Sequence, residues 1–250
     1  MSLSHLYSLL VKCPLIALST MVMATLSVTA TLFKKDGVLA HKIACAWGRM
    51  LLAIGGVKVS VEGAGNLSPN GCYVLTPNHL SYMDTPSLLG GIPIPFRFLA
   101  KDDLFEIPFL GHHLHRAGHI PVPLGDARAS LKVLTRAAHV MRQQSLSVLV
   151  FPEGGRAEDG ILQPFKEGAV YMAIKAGAPL VPIGIIGTYE VLPMHSLHIR
   201  GRRVRLRIGE PIPTAGLHVR DRGRLNSLLR ERVAELIGHT EPARQTVPPA

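Results

Sequence analysis

The sequence predicts an α/β fold: a mixed, largely parallel sheet with helices on both faces, preceded by an N-terminal membrane-associating helical segment. Two observations predict it. From residue 57 onward, short apolar segments alternate with segments of helical pattern, which is typical of parallel sheets because parallel strands need crossover connections. Before residue 57, the chain has a run of 21 residues without any charge, from Cys13 to Phe33.

The uncharged segment 13–33 is long enough to cross a bilayer. As a helix it would span about 31 Å, close to the thickness of the hydrocarbon core. A secretory signal is the rival interpretation, but Lys34, Lys35 and Asp36 follow the segment where a signal would carry small residues for cleavage. A second apolar segment, 40–56, carries Trp47, a residue typical of the headgroup boundary. Two helices that cover the core of the domain are the alternative.

These features divide the chain into three parts. Residues 1–55 are predicted to be membrane-associating helices, and residues 56–238 the main α/β domain. Residues 239–250 are polar and rich in proline, which predicts a loose tail.

Strands are predicted where short apolar or alternating runs are bounded by turn residues, at 57–63, 72–76, 96–100, 119–122, 147–151, 179–185 and 203–208. Helices are predicted between and after them, at 84–91, 108–117, 126–144, 166–177 and 221–237. The clearest helix is 126–144, where the apolar residues recur with 3-4-3 spacing.

Charge and composition narrow the class of partner. The chain has 27 Lys and Arg against 17 Asp and Glu, a net charge of +10. This excess indicates nucleic acid, an acidic membrane surface or a phosphorylated substrate. Aromatic residues make up only 5% of the chain, so base-stacking surfaces are not expected and nucleic acid is disfavoured. The three cysteines have no metal-type spacing, and their odd number argues against a disulfide framework.

The segment TPNHLSYMDTP, residues 76–86, places His79 five residues before Asp84 at the end of a predicted strand. On one continuous helix the two side chains would be about 140° apart and could not touch. A pair therefore requires a bend, with His79 in a turn and Asp84 near a helix start. There Asp84 would accept from Nδ1–H of His79 and leave Nε2 as a base. The alternative is an ordinary turn histidine and a helix cap.

No protein nucleophile accompanies this pair. The chain has no G-x-S-x-G motif, and no cysteine lies beside His79. A base without a protein nucleophile suits the activation of a substrate hydroxyl.

Two further segments carry charge next to predicted strands. FPEGGRAEDG, residues 151–160, forms a glycine-rich turn with an arginine that can hold a phosphate, although a plain polar loop would look similar. Lys101 follows the strand in FLAKDDLFEIPFLG and can supply a second cation. His112, His113 and His115 lie close together, but few carboxylates are nearby, so no metal site is predicted.

The blocks NHLSYMD, FLAKDDLFEIPFLG, FPEGGR, Phe165-Lys166-x-Gly168 and VPIG, in this order, resemble the glycerophospholipid acyltransferase family. The likeness is greatest to bacterial 1-acyl-glycerol-3-phosphate acyltransferases and covers about residues 45–215. It implies that residues 56–238 are an acyltransferase domain, held by the N-terminal helices on the cytoplasmic face of the cell (inner) membrane, as a single-pass or monotopic protein. It implies a lysophospholipid and membrane lipid as partners, with no nucleic acid.

The resemblance also implies a reaction. A fatty acyl group would pass from acyl-CoA or acyl-acyl carrier protein to the sn-2 hydroxyl of 1-acyl-glycerol-3-phosphate, giving phosphatidic acid for phospholipid biosynthesis. No cofactor and no metal are implied. The family's catalytic pair corresponds here to His79 and Asp84, with Asn78 and Ser81 as supporting residues of the same block. The residues that bind the acceptor or its phosphate correspond to Lys101, Glu153, Gly154 and Arg156.

Two positions depart from the family pattern. Gly155 stands where the family usually has threonine, and Leu124 stands where an arginine that helps to bind the acceptor phosphate is expected. Arg116 or Arg128 can substitute for it, or the acceptor is a different lysolipid. Two rival functions stand beside acyl transfer: a thioesterase or hydrolase that uses water, and a membrane or nucleic-acid binding module without catalysis.

The arginine-rich strand 203–208 has two interpretations. Its arginines alternate with apolar residues, so that one face of the strand is basic. That face is either a surface for anionic lipid or acyl carrier protein, or a solvated sheet edge protected by charge.

Overall fold

The computed structural model describes residues 2–33, 37–123 and 125–238. Three features of the sequence analysis lie outside these residues: the charged group 34–36, Leu124 and the tail 239–250.

The N-terminal segment forms two long helices. Helix α1 (Leu3–Tyr7), a π-helical turn (Ser8–Lys12) and helix α2 (Cys13–Phe33) follow one another directly, and helix α3 is Val38–Gly55. The stretches Leu3–Thr31 and Val38–Gly55 are long and apolar enough to cross a membrane, by length and composition. Helix α3 ends because Gly56 adopts φ 72°, where its N–H caps two carbonyls of the last turn.

Helix α2 lies along the domain and buries several of its polar side chains there. Ser19, Ser27 and Thr31 of α2 are buried, as is Ser8 of the preceding turn, whereas Thr25 and Thr29 are exposed. Ser27 Oγ lies 2.7 Å from His113 Nδ1, and Trp47 Nε1 donates to Thr20 Oγ1 at 3.1 Å. Most leucine, valine and methionine side chains of the stretch Leu3–Thr31 point outward instead, with exposures such as 63% for Leu10, 54% for Leu18 and 52% for Leu26.

Among the described residues, seven strands form one sheet. They are β1 (Lys58–Glu62), β2 (Val74–Pro77), β3 (Phe96–Lys101), β4 (Ile120–Val122), β5 (Ser147–Leu149), β6 (Leu180–Ile186) and β7 (Arg203–Ile208). Their order is β1-β7-β6-β2-β5-β3-β4, and every pairing is parallel except the antiparallel pair β6–β7. The predicted mixed, largely parallel sheet is confirmed.

Helices cover both faces of the sheet, as predicted. The described helices after α3 are α4 (Asp84–Gly91), α5 (Leu110–Arg116), α6 (Ala127–Gln144), α7 (Gly168–Ala176), α8 (Thr188–Val191) and α9 (Arg222–Ile237). Helices α3 and α4 bury one apolar cluster on the first face, centred on Leu75, Leu88 and Phe96. Helices α6, α7 and α9 bury a second cluster on the other face. The four-residue helix α8 was not predicted, since it is too short to carry a pattern.

The parallel strands bring several loops to one edge of the sheet. Strands β2, β3, β5 and β6 run in the same direction, so their carboxyl ends share an edge. Ligands bind at this edge in open α/β sheets. The loop after β2 carries the segment 78–83, and the loop after the neighbouring β5 carries the segment 150–157. Residues 74 positions apart in sequence therefore meet in space.

Candidate active site

His79 and Asp84 are in contact at the carboxyl end of β2. His79 Nδ1 lies 2.8 Å from Asp84 Oδ2, and Asp84 is fully buried. As predicted, His79 lies in a turn and Asp84 is the first residue of helix α4. His79 Nε2 has no hydrogen-bond partner among the described residues, and about 10% of the side chain is exposed. The pair thus has the geometry of an imidazole oriented by a carboxylate, with the second nitrogen directed away from it.

Two backbone N–H groups bind the Asp84 carboxylate at distances similar to that of His79. Asp84 Oδ2 also accepts from the N–H groups of Leu80 and Ser81, at 2.8 and 2.9 Å. A carboxylate near a helix start is ordinarily favoured by the N–H groups of the first helical turn. The structure uses those of the preceding turn instead, because the carboxylate folds back over residues 79–81.

The supporting residues Asn78 and Ser81 connect this turn to neighbouring elements. The Asn78 side chain donates to Ile185 O at 3.0 Å and accepts from Ile185 N at 2.7 Å. It therefore continues the β2–β6 ladder beyond Pro77, which has no N–H. Ser81 Oγ donates to Leu192 O at 2.7 Å and accepts from Met83 N at 3.1 Å. Both side chains are buried, so the turn that carries His79 is rigidly positioned.

Glu153 comes from the loop after β5 and holds the same turn from the other side. Its Oε1 accepts from the backbone N–H of His79 at 2.6 Å, and its Oε2 accepts from Gln163 N at 2.8 Å. Burial raises the pKa of Glu153 to about 7, against the opposing effect of these two N–H groups. Each carboxylate oxygen of Glu153 thus contacts backbone of the protein.

The surroundings of His79 favour the neutral form of its imidazole. Burial lowers the pKa of His79 below its ordinary 6.5, and the hydrogen bond to Asp84 offsets only part of this effect. The Phe151 ring stacks on the imidazole with 3.7 Å between ring centroids and 15° between planes. A neutral imidazole with a directed Nδ1–H is the state that a general base requires.

Arg156 lies in the same loop as Glu153 and stacks on Tyr82. Its guanidinium carbon is 4.0 Å from the centre of the Tyr82 ring, a cation–π geometry. Burial lowers the pKa of Arg156. Its Nε is buried and has no hydrogen-bond partner within the described part of the chain. A half-buried cation with an unused donor is suited to an anionic ligand.

Gly154 has a backbone conformation and surroundings that leave no room for the side chain of any other residue. Its φ of 75° favours glycine, and a Cβ there would lie 2.6 Å from Lys166 Nζ. The Lys166 ammonium therefore lies over the loop. Lys166 belongs to the block at 165–168, and nothing in the linear pattern places it beside Gly154.

Lys101 lies at the carboxyl end of β3, two strands from β2 in the sheet. Neighbouring strands are about 4.8 Å apart, so this position is about 10 Å from β2 across the edge. The Lys101 ammonium pairs with Asp103 and is half-exposed. Its described contacts include none of His79, Asp84, Glu153 or Arg156.

Sequence reasoning did not assign Tyr82 and Phe151 to the site. Tyr82 lies between His79 and Asp84 in the block NHLSYMD, and Phe151 precedes Pro152 in FPEGGR. Their positions inside the two blocks indicate that they lie near the site. Their ring contacts, Tyr82 with Arg156 and Phe151 with His79, join two loops and therefore depend on the strand order.

The histidines of α5 do not form a metal-binding group. In the ranges that the structure describes, no cluster of three or more His, Cys, Asp or Glu side chains could hold a metal ion. His113 contacts Ser27 of α2, and His115 packs edge-on against Phe105.

Comparisons with known proteins identify the family of this chain. A family model described as Acyltransferase matches residues 58–186. The chloroplastic 1-acyl-sn-glycerol-3-phosphate acyltransferase LPAT1 of Arabidopsis thaliana is 36% identical over 157 residues, 62% of this chain and 44% of that protein. The 1-acyl-sn-glycerol-3-phosphate acyltransferase alpha of Ovis aries is 30% identical over 162 residues, 65% of this chain and 56% of that protein. The chain thus spans about half the length of the curated relatives it matches.

A solved structure resembles nearly the whole chain. The crystal structure of the 1-acyl-sn-glycerophosphate (LPA) acyltransferase PlsC from Thermotoga maritima has a TM-score of 0.70 and 26% identity, and the match covers 89% of this chain and 95% of that one. The family match contains the His79–Asp84 pair and the loop with Glu153 and Arg156. Because that match covers just over half of the 250 residues, the chain belongs to the acyltransferase family.

Proposed function

We propose that this protein transfers a fatty acyl group from a thioester donor, acyl-CoA or acyl-acyl carrier protein, to the sn-2 hydroxyl of 1-acyl-glycerol-3-phosphate. The product is phosphatidic acid. The observation that carries the proposal is the 2.8 Å contact between His79 Nδ1 and Asp84 Oδ2, which leaves Nε2 available beside the Arg156 loop. The names of the relatives and of the neighbouring PlsC structure support the same acceptor.

In the proposed reaction, His79 Nε2 takes the proton of the acceptor hydroxyl as its oxygen attacks the thioester carbonyl carbon. A C–O bond forms and a tetrahedral intermediate results. The C–S bond then breaks, and the leaving thiolate receives the proton from His79 Nε2. Asp84 stabilises the imidazolium between these steps without itself taking the proton. The lowered pKa of His79 favours the neutral ring at the start.

The oxyanion of the intermediate needs N–H donors. The N–H groups of His79, Leu80 and Ser81 already donate to Glu153 or Asp84. The turn after Pro77 therefore has few to offer, and the glycine-rich loop 152–156 is the better source. In that loop, Gly155 is exposed, and its N–H has no partner among the residues that the structure describes.

Arg156 is the proposed ligand of the acceptor phosphate. The Nε–H of Arg156 has no hydrogen-bond partner in the described ranges, and burial lowers the pKa of the guanidinium. A phosphate oxygen would accept a hydrogen bond from this group and stabilise its positive charge. We propose that Lys101 and Gly154 serve the same ligand, with Lys166 as a further nearby cation. Glu153 contributes by holding His79 and Gln163.

We propose that the N-terminal helices hold the enzyme on the cytoplasmic face of the cell membrane, as a monotopic protein. The outward leucines of α2 support contact with lipid, whereas its inward serines contact the domain. A helix that packs along the domain through much of its length fits attachment to one leaflet better than a span. Leu18→Asp on the outward side should release protein from membranes, whereas an equally apolar Leu18→Met should not. Release by both variants, or by neither, contradicts the assignment.

The central experiment is an acyl-transfer assay with purified protein. The acceptors should include 1-acyl-glycerol-3-phosphate, other phosphorylated lysolipids and a lysolipid without phosphate. Phosphatidic acid as the main product supports the proposal. Free fatty acid as the main product indicates a hydrolase, and equal use of the acceptor without phosphate contradicts the role of Arg156. The two donors should be compared in the same assay.

A further inference from the structure

The loop before helix α5 presents two apolar side chains to solvent. Ile107 is 43% exposed and Phe109 is 50% exposed, with Pro108 between them. We refer to Ile107, Pro108 and Phe109 as the 107–109 tip. Single exposed apolar side chains are ordinary on a protein surface, whereas adjacent ones can mark a site of interaction with a protein or a membrane.

The backbone holds the tip in a strained, defined shape. Phe109 has φ 65° and ψ −55°, and Leu110 N donates to Pro108 O at 2.7 Å. This is the γ-turn of positive φ, which is rare and strained in residues other than glycine. Gly111 allows the following turn, since a Cβ there would lie 2.0 Å from Phe105 O. The γ-turn thus fixes the backbone of the tip, and the Phe109 ring is half-exposed there.

The tip lies between the catalytic edge and the lipid-facing helix. It follows the carboxyl end of β3 and the short 3₁₀-helix Asp102–Phe105, so it belongs to the same sheet edge as His79. The next residue, Leu110, lines an apolar cleft together with Met23 and Ala24 of α2 and Trp47 of α3. The tip therefore lies beside the place where the start of α5 packs against α2, the helix whose other side carries the exposed leucines.

We propose that the 107–109 tip is a second membrane-inserting element, separate from the N-terminal helices, which holds the catalytic edge against the lipid surface. The partner is the bilayer itself. Glu106, exposed beside the tip, limits this insertion to a shallow depth at the headgroup boundary. The inference extends the proposed function, since it adds a residue-level contact that brings a lipid acceptor to His79.

A tryptophan reporter tests the contact without any use of activity. The chain has one tryptophan, so Trp47→Phe provides a background without this fluorophore. Phe109→Trp in that background is the reporter. Leu131→Trp is the matched control, because Leu131 is 46% exposed on α6, on the other face of the sheet. The full chain is mixed with phosphatidylcholine vesicles whose acyl chains carry bromine near the headgroup end.

Bound to these vesicles, the Phe109→Trp protein should lose about half of its tryptophan emission, whereas the emission of the Leu131→Trp protein should change little. Equal quenching of the two reporters overturns the proposal. The fluorescence readout does not depend on activity. If the unmodified protein had no transferase activity, the proposed function would be refuted, but quenching at position 109 would still support this inference.

Polar variants with Trp47 intact give a second measurement. Phe109→Ser should lower kcat/KM about ten-fold for an acceptor embedded in vesicles, while a short-chain acceptor dissolved as monomers is used as by the unmodified protein. Leu131→Ser should change neither value. Equal losses of Phe109→Ser on both acceptors would mean that Phe109 acts within the fold, which contradicts membrane insertion.

Discussion

The carboxylate of Glu153 accepts a hydrogen bond from the backbone N–H of His79 at 2.6 Å. The two residues lie on loops after neighbouring parallel strands, β2 and β5. Because the second carboxylate oxygen is held by Gln163 N at 2.8 Å, Glu153 joins the His79 turn to the loop that carries Arg156. It thereby fixes the positions of His79 and Arg156 relative to each other.

Glu153→Gln should lower kcat about 10- to 100-fold and change the KM for the acceptor little. The amide keeps one oxygen as acceptor but turns an NH₂ group toward the other N–H, so the His79 turn loses a hydrogen bond. Steady-state kinetics with varied acceptor measure both values. Glu158→Gln, an exposed change in the same loop, is the control. A raised KM at constant kcat would instead indicate direct contact with the acceptor.

Glu153→Gln should also change how the free energy of unfolding depends on pH. The folded pKa of Glu153 is raised from 4.5 to about 7, so the native state binds more protons than the unfolded state between these values. Its contribution to the free energy of unfolding is therefore full below pH 4.5 and is lost as pH rises through 7, by about 3 kcal/mol at most. Denaturant unfolding at pH 5 and pH 8 should give a wild-type minus Glu153→Gln difference that is larger at pH 5. An equal difference at both values contradicts the raised pKa.

Replacement of His79 or of its orienting carboxylate should abolish transfer. His79→Ala removes the base, and Asp84→Asn keeps the shape but no longer stabilises the imidazolium, so kcat should fall about 10²- to 10⁴-fold. His139→Ala, an exposed change on α6, is the control for His79→Ala. Circular dichroism should be unchanged for Asp84→Asn. Near wild-type turnover by this variant would count against the orienting role.

Asp84→Ala should behave differently from Asp84→Asn in stability. It leaves the N–H groups of Leu80 and Ser81 without their acceptor, at a cost of about 1–3 kcal/mol each. Denaturant midpoints should therefore rank wild type, then Asp84→Asn, then Asp84→Ala. An Asp84→Ala protein as stable as the wild type would show that water replaces the carboxylate in that buried turn.

Arg156→Ala should raise the KM for the phosphorylated acceptor about 10- to 100-fold, with the donor KM unchanged, because a charge-assisted contact to phosphate is lost. Arg142→Ala, exposed in the last turn of α6, is the matched control. Lys101→Ala should raise the same KM less, since Lys101 is half-exposed and already paired with Asp103. A defect confined to the donor would contradict the assignment of Arg156.

Tyr82 should act through Arg156. Tyr82→Phe keeps the ring under the guanidinium and should leave the acceptor KM near the wild-type value. Tyr82→Ala removes a contact of about 0.5–1 kcal/mol and should raise that KM about two- to five-fold. In the Arg156→Ala background, Tyr82→Ala should have no further effect. Full additivity of the two changes would mean that the ring and the guanidinium act independently.

Local patterns were sufficient for most of the fold and for the first half of the site. Helix α4 begins at Asp84 and α2 covers Cys13–Phe33, both as predicted, because charge and apolar periodicity act within a few turns. The His79–Asp84 contact was also predictable, since five residues on a bent segment leave few arrangements. The hydrogen-bond partners of Glu153 were not predictable from the sequence, because its contact with His79 depends on β2 and β5 being neighbouring strands.

The amino-acid order is enough to specify most of the helices and strands and the candidate residues for acyl transfer, because propensity, turn residues and motif spacing are local properties. Three contacts become visible only in the folded chain: Glu153 holds the His79 backbone, Tyr82 stacks on Arg156, and Ser27 of α2 contacts His113. Strand order and helix rotation set these contacts, and both follow from burying two apolar clusters on opposite faces of one sheet.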